Sequence, residues 1–164
     1  MSEQGTKTGS PYDKPVEARL EKVEEGEFAG WRIWISDRFE TNAGPFYVRR
    51  DEEGVIVTAF RVEKKHLNGG GHVHGGCLMT FADSAAFNIA RRELGDDRAV
   101  TLTMTTEFLG PAVEGQRLEC RGEVLRAGGR TIFVRGNVTA DGAPCLHFTA
   151  TLYKVKGKLV KEAV

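Results

Sequence analysis

Nowhere in its 164 residues does this sequence hold an apolar run approaching the roughly 20 residues that a membrane-spanning helix needs. Its opening, MSEQGTKTGSPYDKP, lacks the apolar h-region of a secretory signal. It carries no excess of either charge. Its 23 Lys and Arg stand against 23 Asp and Glu, which leaves no electrostatic footprint for nucleic acid. Cysteine is scarce: Cys77, Cys120 and Cys145 form neither a paired framework nor a CxxC. They read as reduced thiols of a cytoplasmic protein. No internal repeat is present. What is there is ordinary for one globular domain, with 40% hydrophobic and 28% charged residues.

Residues 1–14 are polar and read as a flexible N-terminal tail. Residues 15–29 read as an N-terminal helix. Asp13 is a candidate N-cap, Pro15 suits the first turn, and Val16, Leu20 and Val23 follow at helical spacing before Gly26. From residue 30 the period changes to two. Trp31, Ile33 and Ile35 fall on one face and Trp34 on the other. FYVRR and VIVTAFRVE follow, joined by the turn signal DEEG at 51–54. Five glycines lie between positions 69 and 76, opening a helical run that ends near Leu94 and Gly95. Within it Leu78, Ala82, Ala85, Ala86 and Ile89 recur three and four apart, and further apolar residues mark the helix as buried. Four alternating segments between residues 99 and 155 read as a strand meander. The fold class is therefore α+β, an antiparallel sheet wrapped around one long central helix. Residues 156–164 read as a C-terminal tail.

Chemistry concentrates around the glycines. His66, His72 and His74 lie close together, but no Cys, Asp or Glu completes a metal set at known spacing, so no metal is expected. The cluster fits neither the P-loop nor the dinucleotide fingerprint. Two uses remain open. The glycines turn the chain and admit close packing, or they leave backbone N–H groups at a helix N-terminus, the raw material of an oxyanion hole. Asp83 sits inside FADSAAF, the most apolar helix of the chain. A carboxylate there either points to solvent or serves chemistry, because burying one without a partner costs several kcal/mol by order of magnitude. Asp83 lies eight residues beyond Gly75, roughly 12 Å along one helix. If both belong to one site, one of them comes from a second copy of the chain. Asn68 is a turn residue or a holder of water or carbonyl. Thr101 begins a strand and is able to reach Asp83. Cys77 reads as a small buried thiol or a nucleophile, and Ser84 has no histidine to activate it.

Three stretches then carry a resemblance: His66-Leu67-Asn68-Gly69, Val73-His74-Gly75-Gly76-Cys77-Leu78 and Phe81-Ala82-Asp83. They resemble the hot-dog thioesterases, in the PaaI-like branch of the 4-hydroxybenzoyl-CoA thioesterase superfamily. The resemblance covers residues 30–155 and takes in Phe108-x-x-Pro111-Ala112 and the turn Arg126-Ala127-Gly128-Gly129-Arg130. It implies the hot-dog fold and hydrolysis of an acyl-CoA thioester without a cofactor. It implies a homodimer with sites at the subunit interface, and a dimer of dimers as the larger assembly. Asp83 would be nucleophile or general base, and Asn68 would position water or thioester. The Gly75 N–H would polarise the carbonyl, His74 would orient that region, and Thr101 would stand near the reacting water. Gly76, Arg126, Gly128, Gly129 and Arg130 are the candidate CoA contacts. Beyond the family pattern, the two arginines that bracket the Gly-Gly turn either bind the nucleotide end of CoA or form a solvated hairpin. The other readings on this fold are an acyl-thioester dehydratase, whose D-x-N-x-x-H pattern is absent, and a non-catalytic acyl-CoA-binding module. Aromatic, short-chain and medium-chain acyl groups all fit the resemblance, as does an acyl carrier protein in place of CoA.

Overall fold

The computed structural model describes residues 16–17 and 19–160. In chain order these form β1 (Val16–Glu17), β2 (Leu20–Lys22), β3 (Arg32–Trp34), α1 (Arg38–Ala43), β4 (Tyr47–Arg50) and β5 (Ile56–Arg61). There follow α2 (Gly75–Ile89), α3 (Arg91–Leu94), β6 (Asp97–Phe108), β7 (Arg117–Ala127), β8 (Thr131–Ala140) and β9 (Ala143–Val160). One nine-stranded sheet runs β2-β3-β4-β5-β7-β8-β9, with β6 on the far side of β9 and the two residues of β1 parallel to its end. All other pairs are antiparallel.

The helix α2 lies on the inner face of this sheet because both surfaces are apolar there. Phe81, Ala82, Ala85 and Ala86 are fully buried against Leu118, Ile132, Leu146, Phe148 and Leu152. Each large side chain buried this way contributes about 1.5–3 kcal/mol. Small residues set the spacing. Gly122 and Gly136 face each other across β7 and β8. A Cβ on Gly122 would stand 2.6 Å from Ile89 Cδ1, and one on Gly136 would stand 2.5 Å from the Phe148 ring. Glycine at 122 lets the helix approach the sheet, and glycine at 136 leaves room for the Phe148 ring on the adjoining strand. Val57 and Ala59 alternate with Thr58 and Phe60 along β5, so they point to the outer face. There Phe28 and Trp31 cover them in a second, smaller core.

The long helix, the strands and the α+β architecture agree with the sequence reading, with one interruption. The helical run breaks at Ala90, which caps α2 before α3. Three expectations need correction. The N-terminal helix over 15–29 does not form in the described part: Leu20–Lys22 is a strand paired with Arg32–Trp34. Helical spacing of three apolar residues gives a short helix too little surface to bury, whereas β3 supplies backbone partners. Tail residues 1–14 lie outside the described residues. The C-terminal tail at 156–164 is strand as far as Val160. The meander holds only for β7, β8 and β9. The strand β6 pairs with β9 instead of β7, because residues 110–116 cross the glycine loop, where Val73 N–H donates to Ala112 O at 2.8 Å.

One irregularity positions the site. The ladder between β6 and β9 slips between Thr101 and Thr103, which leaves Leu102 as a bulge residue, 55% exposed. A bulge reverses the alternation of the strand. Ala99 and Met104, of opposite parity, both pack against the core. Thr101 thereby faces α2 on the near side of the bulge.

Candidate active site

The glycine loop is a hydrogen-bonded unit. The Asn68 Oδ1 accepts from Gly70 N–H at 2.8 Å and from His72 N–H at 3.3 Å. Asn68 N–H donates to His72 O at 2.7 Å. The side chain of Asn68 is therefore committed to its own turn through its oxygen, and no acceptor meets its Nδ2 among the described residues. His66 is buried and edge-on to Phe60 at 5.0 Å. Its Nδ1 accepts from Glu63 N–H at 2.8 Å. Burial pushes the pKa of its ring down. Its carbonyl takes the His74 N–H at 2.8 Å, which joins the loop to the start of α2.

At that start His74 is the N-cap, and its Nδ1 accepts from Gly76 N–H at 2.9 Å. The next two amides, Cys77 and Leu78, donate to His74 O. The Gly75 N–H is left with no acceptor among the described residues. It is a first-turn donor aimed out of a helix N-terminus, where the dipole favours negative charge. Gly76, expected to contact CoA, has its own N–H occupied by His74. Burial pushes the Cys77 thiol up to about 11, which keeps it protonated and a poor nucleophile.

Asp83 stands two turns further along α2 and is half-buried. The Thr101 hydroxyl donates to its Oδ1 at 2.6 Å. Burial pushes the carboxyl above the usual carboxylate range, the Thr101 bond draws it partly back, and the negative charge of Asp37 raises it again. Two clefts meet at this residue. One, of about 310 Å³, runs from Asp83 past Ser84 and Phe87 to Arg91 and is walled by Trp34. The other, of about 350 Å³, is bordered by Phe39, Met79, Thr80 and Met104. Neither is lined by Asn68, His74 or Gly75.

Two residues of this region escaped the sequence reading. Asp37 caps α1, accepting from Phe39 and Glu40 N–H at 2.9 Å each. Glu40 lines both clefts. Its carboxyl is pushed up by burial, lowered by the Ser84 hydroxyl, and raised by Asp37 and Asp83. The signal was available, since Asp37-Arg38-Phe39-Glu40 has the spacing of a capping box. The Trp34 indole is also fixed. Its Nε1 donates to Asn88 Oδ1 at 3.0 Å, and Asn88 Nδ2 donates to Thr58 Oγ1 at 3.3 Å.

The expected CoA contacts lie elsewhere. Arg126, Gly128, Gly129 and Arg130 form the exposed hairpin between β7 and β8. There Gly128 N–H donates to Thr131 O at 2.8 Å, and Arg130 Nη1 donates to Tyr153 Oη at 3.1 Å. The structure thus brings Asp83 and Thr101 together. It gathers Asn68, His74, Gly75 and Gly76 at a separate place and sets the arginine hairpin apart from both. No helix among the described residues is long and apolar enough to cross a membrane.

Comparisons with known proteins agree with this architecture. Residues 70–145 match the family model described as the thioesterase superfamily. A Pseudomonas aeruginosa protein named "Putative esterase PA0474" is 36% identical over 91 residues, 55% of this chain and 68% of that one. A mutant of the phenylacetic acid degradation protein PaaI from Thermus thermophilus is 30% identical, with a TM-score of 0.63 over 73% of this chain and 100% of that one. The protein smu.793 from Streptococcus mutans, solved bound to acetyl CoA, is 26% identical, with a TM-score of 0.62 over 70% of this chain and 91% of that one. On these grounds the chain belongs to the thioesterase superfamily, a family of thioester hydrolases.

Proposed function

We propose that this protein hydrolyses an acyl-CoA thioester to a free acid and CoA, at sites each shared by two copies of the chain. The observation that carries the reading is a separation. The one carboxylate of α2, bonded to Thr101, and the unoccupied Gly75 N–H lie eight residues apart on a single straight helix, roughly 12 Å. A reacting carbonyl touches both only when they come from different chains. The edge of β6 supports a second copy. It is a 12-residue strand paired on one side alone among the described residues, with Leu102 and Phe108 more than half exposed along it. The complex of the related smu.793 with acetyl CoA supports CoA as the carrier.

In this mechanism the thioester carbonyl oxygen accepts from the Gly75 N–H of one chain. The Asp83 carboxylate of the other removes a proton from water, or attacks the carbonyl carbon directly. The tetrahedral oxyanion gains most from the aimed N–H, a donor worth about 100- to 1,000-fold in rate. Thr101 holds the carboxylate in place. The raised pKa of Asp83 makes it a stronger base than an exposed Asp. Asn68 shapes the loop with its oxygen and offers its free amide N–H to the thioester or the water. His74 fixes the first turn. The exposed arginines at 126 and 130 meet the phosphates of CoA, flanked by Gly128 and Gly129. The three free thiols suit a reducing, cytoplasmic compartment.

A thiol-release assay tests the reading. Wild type and Asp83→Ala are offered acetyl-, butyryl-, hexanoyl-, lauroyl-, phenylacetyl- and benzoyl-CoA. Release by wild type that disappears in the variant is expected. Equal release from both would refute the role of Asp83. Binding of the esters without release from any would make the protein a non-catalytic acyl-CoA module.

A further inference from the structure

The cleft walled by Trp34 has a charge order that the reaction itself does not use. Asp83, Phe87 and Arg91 stand four residues apart and line the same cleft. They set a carboxylate at one end, a ring in the middle and a guanidinium at the other. Asp83 lies within α2 and Arg91 opens α3 just past the break at Ala90, eight residues further on. At the Asp83 end Asp37 and Glu40 add two more acidic groups.

Arg91 is held ready for a ligand. Its guanidinium lies 5.6 Å over the Trp34 ring, and that ring is locked by its bond to Asn88. Stacking on an aromatic face leaves the in-plane N–H donors of an arginine available. No carboxylate lies within 4.0 Å of Arg91 among the described residues. The carboxylate across this end of the cleft, Asp97, is already paired with Lys154 at 3.2 Å. Phe87 and Leu94 give the cleft its apolar wall.

We propose that this cleft takes an acyl group of medium length whose far end carries a carboxylate, held by Arg91. The inference rests on Asp83 marking the reacting centre. A carboxylate at that end gains a bidentate, charge-assisted pair with a pre-stacked guanidinium. The acidic near end repels the same carboxylate, so the substrate enters in one direction only. A neutral chain of the same length leaves Arg91 without an anion.

The test compares octanoyl-CoA with its ω-carboxy counterpart on wild type and on Arg91→Gln. Wild type is expected to favour the ω-carboxy ester in kcat/KM by about tenfold or more, and Arg91→Gln to lower that ratio by about tenfold. A wild-type preference for the neutral ester overturns the proposal, and this arm needs no variant to fold. An equal loss on both esters in Arg91→Gln also overturns it, by assigning Arg91 to CoA or to the fold. If neither ester is hydrolysed, the hydrolytic reading fails separately. Calorimetric titration of the same two esters then decides. Tighter binding of the ω-carboxy ester that depends on Arg91 supports the proposal, and equal binding of the two overturns it.

Discussion

The two functional stretches of α2 are built on opposite principles. At its N-terminus almost every polar group is committed. Asn68 bonds its own loop, His74 caps the helix, and the amides of Gly76, Cys77 and Leu78 all have acceptors. Among the described residues the Gly75 N–H and the Asn68 Nδ2 are left without acceptors, on a frame fixed by those bonds. Around Asp83 the reverse holds. Asp83 and Glu40 are drawn into partial burial with little more than hydroxyl groups to compensate them, so both hold protons more readily than an exposed carboxyl. One region offers fixed geometry and the other offers a basic group at some cost to stability. An enzyme that stabilises an oxyanion and moves a proton needs one of each.

Replacing Asp83 breaks this contrast most severely. Asp83→Asn is expected to lower kcat by about 1,000-fold and to raise the melting temperature at pH 7. The sign follows from the direction of the shift. The folded-state pKa lies above the unfolded one, so the charged form costs stability at pH above both, and that cost vanishes as pH falls through the raised value. Thermal melts at pH 7 and under acid should show the gain shrinking in acid, and an unchanged gap would contradict it. At the other end Gly75→Pro deletes the donor while keeping the helix. Proline is tolerated at the first helical position, and His74, at φ −63 and ψ 135, already has the extended conformation that precedes proline. A loss of about 100-fold or more in kcat, with helical circular dichroism retained, is expected.

Smaller changes sharpen the comparison. Thr101→Val removes the bond that draws the Asp83 pKa down. It should cost about tenfold in kcat and move the acid limb of the pH–rate profile to higher pH. Asp37→Asn removes the negative charge that raises Asp83, keeps a capping side chain on α1, and should move the same limb to lower pH, with a modest change in rate. A profile that stays in place in both variants would separate Asp83 from its neighbours.

Much of this was legible in the sequence, and for physical reasons. An alanine-rich apolar helix behind a run of glycines can only be buried, and an acid inside it has few explanations. Strand partners were less legible. GPAVEG has the residues of a tight turn, yet its segment crosses the glycine loop, and β6 finds β9 instead. The bulge at Leu102, which aims Thr101 at Asp83, leaves no compositional trace. The segment around Leu20 satisfied a helical spacing and formed a strand, because tertiary pairing outweighs propensity in so short a piece. Glu40 was missed because its capping signal lies in a six-residue helix without buried residues.

The claim that one site draws on two chains has a direct measurement. Asp83→Ala and Gly75→Pro, each inactive as a homodimer, are co-expressed with different tags, and the mixed dimers are isolated. A shared site predicts that one of the two sites in each mixed dimer is wholly intact, so about half of wild-type activity returns. If each chain held a complete site, every site would carry one lesion, and the mixed dimer would be as inactive as its parents.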